Sequence, residues 1–269
     1  PKCADVEIPS RHLGLSLDED FYFEEFADRV AELVEKHVNI NRLLELTKPV
    51  ATAVVPISAG RHIYKREPSF PIAVACDPAF NFVYEANIRY LHHLGEVTYF
   101  SPLADTSLPD VGFVYLPGGY PELYLAALSA NRQMLQSIRR YVESGGKLLA
   151  ECGGMMYLCD EIRDKNGDVY PMAGVLHQSA TMENMKLRLG YRTLLYNETR
   201  LKGHEFHYSR LVEQQNPLPS CAVAYTAKGV ETDTPLYHYK NVWAGYTHLY
   251  WADPVGNEWF TKFVIDGNT

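Results

Sequence analysis

Cys152 stands where an apolar run meets a pair of glycines, in Leu148-Leu149-Ala150-Glu151-Cys152-Gly153-Gly154-Met155-Met156-Tyr157-Leu158. A strand that stops at Cys152 and a helix that starts after Gly153-Gly154 would make a nucleophile elbow, a sharp turn that lifts one side chain off the carboxyl edge of a sheet. Such a turn needs small residues two before and two after the nucleophile, because strand and helix backbones crowd there. Ala150 and Gly154 meet that demand. The thiol would also lie at a helix N-terminus, whose free amides and dipole favour the thiolate. The plainer reading is a buried structural cysteine beside a glycine turn, since cysteine is among the most buried residue types. The elbow context favours a nucleophile.

A thiol nucleophile needs a base and donors for an oxyanion. The loop Leu116-Pro117-Gly118-Gly119-Tyr120-Pro121-Glu122 follows a second apolar run, and its two glycines let backbone N–H groups approach a ligand. Gly118 and Gly119, with the amide of Gly153, could hold a tetrahedral oxyanion, each donor being worth roughly 3–4 kcal/mol. An ordinary strand-to-helix turn has the same composition.

Ten histidines compete for the role of base. His248, in Gly245-Tyr246-Thr247-His248-Leu249-Tyr250, closes an alternating stretch expected to be one strand. His204 and His207, in Gly203-His204-Glu205-Phe206-His207-Tyr208-Ser209, form a second cluster. This His-Glu-x-His is one residue short of the zinc-protease motif and reads as strand, so no metal site is expected. On a strand Glu205 is expected to point away from both histidines, so that the three make no convergent triad. His92-His93 reads as helix surface. Neither a phosphate-binding G-x-x-x-x-G-K-[ST] nor a dinucleotide-binding G-x-G-x-x-G occurs.

The elements that must position these groups are legible as periodicity. Phe23, Phe26, Ala27, Val30, Leu33 and Val34 recur at spacings of three and four behind a Ser16–Glu19 capping box, which predicts a helix ending near His37. A short helix through Leu43, Leu44 and Leu46 stops at Lys48-Pro49, and a linker with Pro56, Gly60 and Pro68 follows. From Pro71 short apolar runs (72–76, 97–100, 111–116, 147–151) alternate with helical patterns (83–94, about 121–143, and after Cys152). That alternation predicts a parallel, doubly wound sheet. Beyond Val169 the chain turns strand-rich, through 187–196, 222–227 and 236–248, with a last helix around 257–265. The expected division is a helical tail and linker over 1–69 and an α/β domain over 70–269.

Composition bounds the rest. The 269 residues are 46% hydrophobic and 22% charged, an ordinary globular balance. The net charge of −8, from 33 acidic against 25 basic residues, has no basic stripe to offset it, so no nucleic-acid partner is expected. There is no apolar run of about 18 residues and no signal peptide, so no membrane partner is expected. Five sparse cysteines without a C-x-x-C pair suit a reducing cytoplasm. The first residue is Pro1 rather than Met, which suggests a piece of a longer chain.

Taken in order, Leu116–Tyr124, Ala150–Leu158, Gly203–Ser209 and Tyr246–Leu249 resemble the motifs of the class I glutamine amidotransferases, and specifically the amidotransferase half of the cobyrinic acid a,c-diamide synthase family (cobyrinate/cobyric acid synthase-type). Ile8–Leu15 looks like the end of that family's synthetase half, and Gly-Gly-Tyr-Pro-Glu separates the chain from the cobyric acid synthases. The resemblance implies an α/β fold with a mostly parallel doubly wound sheet flanked by helices, preceded by a helical N-terminal extension. It makes Cys152 the nucleophile and His248 the base, with the oxyanion near Gly118, Gly119 and Gly153. L-glutamine would be the substrate, and ammonia would pass to a synthetase half, of the same chain or a separate subunit, that needs ATP and Mg and amidates the a and c carboxylates of cobyrinic acid in cobalamin biosynthesis. This piece itself would carry no cofactor. Alternatives are another tetrapyrrole acceptor (hydrogenobyrinic acid, nickel-sirohydrochlorin), cell-wall amidation, or a non-catalytic docking module. One departure stands out: most class I members have His-Pro-Glu, whereas His248 is followed by Leu249-Tyr250. The resemblance therefore implies a Cys–His dyad or a third group from elsewhere, for which Glu205 is the candidate; His204 and His207 are candidates for binding or orienting.

Overall fold

The computed structural model describes residues 6, 10–11, 14–15, 23–47 and 70–266. The chain forms two compact units, Pro1–Tyr64 and Lys65–Thr269. In the first, α1 (Phe23–His37) spans the stretch whose apolar spacing predicts it, and α2 (Ile40–Leu46) starts at Asn39, whose side chain accepts from the Arg42 N–H at 2.9 Å. None of the residues of α1 or α2 is buried. The expected capping box and linker lie outside the described residues.

In the second unit β1 (Phe70–Ala75), α3 (Glu85–Leu94), β2 (Gly95–Phe100), β3 (Phe113–Leu116), α4 (Leu125–Ala130), α5 (Arg132–Glu143), β4 (Lys147–Glu151) and α6 (Gly153–Leu158) follow one another. Further on come β5 (Arg188–Tyr196), β6 (Thr199–His207), β7 (Val223–Thr226), β8 (Glu231–Thr232), β9 (Leu236–Tyr239), β10 (Val242–Gly245), β11 (His248–Leu249) and α7 (Pro254–Thr261). A six-stranded sheet runs in the order β9-β10-β4-β3-β1-β2, parallel throughout except for the β9–β10 edge. Side-chain alternation sends its apolar residues to opposite faces. Ile72, Val74, Phe113, Tyr115 and Leu149 pack with Ile88 and Leu91 of α3 and Trp259 and Phe260 of α7. Ala73, Val114, Leu116 and Leu148 pack with Leu128, Met134, Ile138 and Val142 of α4 and α5. Both faces are covered, which is why these strands read as nearly continuous apolar runs. The fold is the expected α/β class.

The strand-rich region builds a separate antiparallel sheet, β8-β7-β5-β6-β11, and a small four-stranded one from segments 161–163, 169–171, 179–181 and 210–211. The stretch 236–248, expected as one strand, is three. β9 and β10 form a hairpin at the edge of the parallel sheet, and the chain then crosses to the second sheet as β11. That crossing carries His248 from one sheet to the other.

Candidate active site

The sharp strand-to-helix turn forms at Cys152, where the sequence places it. Cys152 has φ 49° and ψ −106° between β4 and α6, in the left-handed region that non-glycine residues seldom occupy. Its N–H donates to Gly245 O at 2.8 Å, tying the turn to the end of β10. A Cβ on Gly154 would lie 2.1 Å from Leu116 O, so the start of α6 runs against the end of β3 with no room for a side chain. The sulfur lies 3.9 Å from Phe206 O of β6.

Register converges the remaining groups. β4 lies between β3 and β10, with Ala150 beside Leu116 and Glu151 beside Gly245. The loops that leave these three parallel strands therefore share one edge of the sheet, where sites of doubly wound folds form. From the β3 side comes Gly118; from the β10 side comes His248, three residues past the strand. A Cβ on Gly118 would sit 2.2 Å from His248 Cε1, so the imidazole lies directly against that loop. A Cβ on Gly153 would sit 3.2 Å from Gly119 N and 2.7 Å from Pro121 Cδ. Gly119 N–H makes no hydrogen bond within the described residues, whereas the next amide, Tyr120 N–H, donates to Ala79 O at 2.9 Å. The amide of Gly119, without a partner among the described residues, thus lies against Gly153, whose own N–H points to the Cys152 sulfur.

His204 and His248 are directly paired across β6 and β11, and their rings stack at 4.9 Å between centroids. Phe82 closes on His248 edge-on at 4.6 Å, and Tyr84 Oη bonds His204 Nδ1. His207 faces the other way. Its Nε2 bonds Glu205 Oε1 at 2.7 Å, its Nδ1 bonds Ser209 O at 2.8 Å, and its ring lies flat on Tyr246 at 3.7 Å. The expectation that Glu205 points away from both histidines is corrected here. Strand alternation has a period of two, so Glu205 and His207 share a buried face while His204 takes the opposite one. Glu205 also accepts from Arg192 Nε and from Thr234 Oγ1 at 2.8 Å. Both its oxygens are engaged away from His248, whose Nδ1 has no hydrogen-bond partner among the described residues.

Burial disfavours charge on both the thiol and the imidazole. Burial pushes the Cys152 thiol well up, the Glu122 carboxylate adds to this, and the Gly153 N–H opposes it. Burial, then the neighbouring His204 and His207, push His248 down to about 3. Two carboxyls unremarked by the motif reading are raised by burial as well: Glu122 to about 7 and Glu151 to about 8. Each sat inside a quoted motif, and a carboxylate closing the otherwise apolar run of β4 was the available signal. Asn87, buried at α3, was missed too. Its Nδ2 donates to Leu249 O at 2.8 Å and its Oδ1 accepts from Trp251 N–H at 2.9 Å. His92 and His93 are exposed.

The CobB/CobQ-like glutamine amidotransferase domain model matches residues 71–255. Hydrogenobyrinate a,c-diamide synthase of Stutzerimonas stutzeri (strain A1501) is 37% identical over 262 residues, which is 95% of this chain and 58% of that protein. The protein of the same name from Pseudomonas aeruginosa is 38% identical over 258 residues, covering 93% and 56%. Cobyrinate a,c-diamide synthase of Dehalococcoides mccartyi (strain CBDB1) is 36% identical over 271 residues, covering 92% and 56%. The chain thus spans little more than half the length of the curated relatives it matches. Among solved structures, a glutamine amidotransferase aligns with TM-score 0.48 at 16% identity, over 72% of this chain and 98% of that one. By the family match and these relatives, the chain belongs to the CobB/CobQ-like glutamine amidotransferase domain family.

Proposed function

We propose that this chain is the glutamine-hydrolysing part of an a,c-diamide synthase, with Cys152 as nucleophile and His248 as base. The observation that carries the reading is the gathering at one sheet edge of a strained elbow cysteine, an imidazole seated on Gly118, the unpaired amide of Gly119 and the amide of Gly153 beside the sulfur. Burial holds thiol and imidazole neutral, so the proton moves only as the bond forms. Cys152 sulfur attacks the side-chain amide carbon of glutamine while His248 takes the thiol proton. The N–H groups of Gly119 and Gly153 hold the oxyanion. The tetrahedral adduct collapses, His248 returns the proton to the leaving nitrogen, and ammonia departs. Water, activated by the neutral His248, then cleaves the γ-glutamyl thioester to glutamate and free Cys152.

The relatives' names support a cobyrinate or hydrogenobyrinate acceptor, amidated by the part of the protein outside this chain. Residues 1–69 are read as the tail of that synthetase part, and the cytoplasm as its compartment on the sparse, unpaired cysteines. Among the described residues no helix is long and apolar enough to cross a membrane. ATP and Mg belong to the synthetase part. The glycine loops here do not fit a phosphate: the space beside Gly119 is filled by Ala79 O, that beside Gly154 by Leu116 O, and that beside Gly118 by the His248 ring.

The test is Cys152→Ala in the full-length protein, scored for amide formation with glutamine and with free ammonia. Glutamine-dependent amidation should vanish while ammonia-dependent amidation persists. Glutamine-dependent turnover surviving in the variant would refute the assignment.

A further inference from the structure

β11 has two residues and one strand neighbour. His204 pairs with His248, Gly203 with Leu249, and Tyr250 N–H donates to Lys202 O at 2.8 Å, all on the β6 side. Alternation turns the backbone of Leu249 to the opposite side, where a further strand would normally satisfy it. Two buried side chains take that strand's place. Glu151 Oε1 accepts the Leu249 N–H at 3.0 Å, and Asn87 Nδ2 donates to Leu249 O at 2.8 Å. The second oxygen of Glu151 accepts from Tyr115 Oη at 2.7 Å, which fixes the carboxyl in one rotamer. Glu151 is 2% exposed and is covalently joined to Cys152.

We propose that Glu151 is the third group of this site: a positioning residue that holds the base in reach of the nucleophile by clamping the Leu249 N–H next to His248. The inference rests on Cys152 and His248 being nucleophile and base. It supplies what the missing carboxylate two residues after His248 would otherwise do, by a different route. Where the ring is unsupported by a carboxylate, as the unpartnered Nδ1 indicates, the backbone must be held instead. One side chain then spans the site, one residue from the thiol at its covalent end and one residue from the imidazole at its hydrogen-bonded end. An amide could serve equally, since its carbonyl accepts from Leu249 and its N–H₂ donates to Tyr115 Oη. An apolar side chain of similar size could not, and the base would be free to shift.

The experiment compares Glu151→Gln, Glu151→Leu and Glu151→Asp with wild type and Cys152→Ala in the full-length protein. It reads kcat and KM for glutamine hydrolysis, capture of Cys152 by diazo-oxo-norleucine, and thermal midpoint. Glu151→Gln should keep kcat within about threefold, while Glu151→Leu should lower it about 100-fold at little change in KM, the usual consequence of a base displaced by about 1 Å. Thiol capture should slow in parallel. If Glu151→Leu does not fold, Glu151→Asp, one methylene too short to reach Leu249, should fall at least about tenfold below Glu151→Gln. Wild-type kcat in folded Glu151→Leu, or equal kcat in the Asp and Gln variants, would overturn the proposal. If Cys152→Ala still hydrolyses glutamine, the assignment of nucleophile fails, which is a different outcome from active Glu151 variants beside an inactive Cys152→Ala.

Discussion

Gly118→Ala probes the contact on which the arrangement turns. A Cβ at residue 118 would stand 2.2 Å from His248 Cε1, 2.9 Å from Nδ1 and 3.3 Å from Nε2. Carbon atoms settle at about 3.5–4.0 Å, so ring and loop must separate by roughly 1.3–1.8 Å. The loop is held: Phe82 N–H donates to Gly118 O at 3.0 Å and Tyr120 N–H to Ala79 O at 2.9 Å. The ring therefore moves, against His204 and Phe82, at an overpacking cost of about 1–3 kcal/mol, which a domain stable by about 5–15 kcal/mol survives. A base misplaced by about 1 Å or more loses on the order of 100-fold in kcat, or about 2.7 kcal/mol of barrier. Glutamate release should fall by that factor in protein that still melts cooperatively. A variant with kcat within about threefold of wild type and an unchanged melting midpoint would refute the claim that the ring must lie against this loop.

Glu122→Gln removes a carboxylate that helps to raise the Cys152 thiol, so the pH profile of thiol alkylation should move to lower pH; an unmoved profile would show that Glu122 does not act on the sulfur. Stability should also carry a pH signature. Glu151 is raised from 4.5 to about 8, so its contribution is complete below about 4.5 and is lost as pH climbs through about 8; Glu122, raised to about 7, acts in the same sense. His248, lowered from 6.5 to about 3, contributes above 6.5 and loses it as pH falls toward 3. Urea midpoints should therefore decline between pH 6.5 and 8, and Glu151→Gln should flatten that decline; an identical slope in the variant would contradict it. Gly154→Ala sets a Cβ 2.1 Å from Leu116 O and 2.8 Å from Pro117 O, both backbone atoms that cannot swing aside. It should cost about 3 kcal/mol or more, and a urea midpoint like that of wild type would speak against the packed elbow.

Much of the scaffold was readable because its signals are local. The periodic apolar residues of α1 lie within Phe23–His37 and the helix ends at the expected His37, and the helix–strand alternation from Phe70 to Leu158 is as expected. The elbow was readable from the smallness of Ala150 and Gly154, a requirement of two backbones meeting. Which sheet a strand joins is not a local property. Residues 236–248 alternate like one strand, and nothing local says that the chain leaves one sheet at Gly245 and enters another at His248. The Glu205–His207 pairing follows from the same period of two, which separates neighbours in the motif but puts residues two apart on one face.

What the sequence by itself determined is the chemistry available and the turn that presents it: a cysteine between a buried strand and a glycine-started helix, glycine amides after the neighbouring strand, and histidines further on. Only the tertiary structure shows His248 seated on Gly118 and a buried carboxyl bonded to the backbone beside it. His248 is 96 residues from Cys152 in sequence, and both follow strands that end at the same sheet edge, because β10 and β4 are adjacent and parallel, with Cys152 N–H bonded to Gly245 O. Glu205 is turned to His207 by the pleat of β6, while Glu151 accepts from the Leu249 N–H beside His248 at a strand edge that no other strand covers among the described residues. Hydrogen-bond satisfaction across such an edge is a property of the assembled sheets, and no spacing along the chain encodes it.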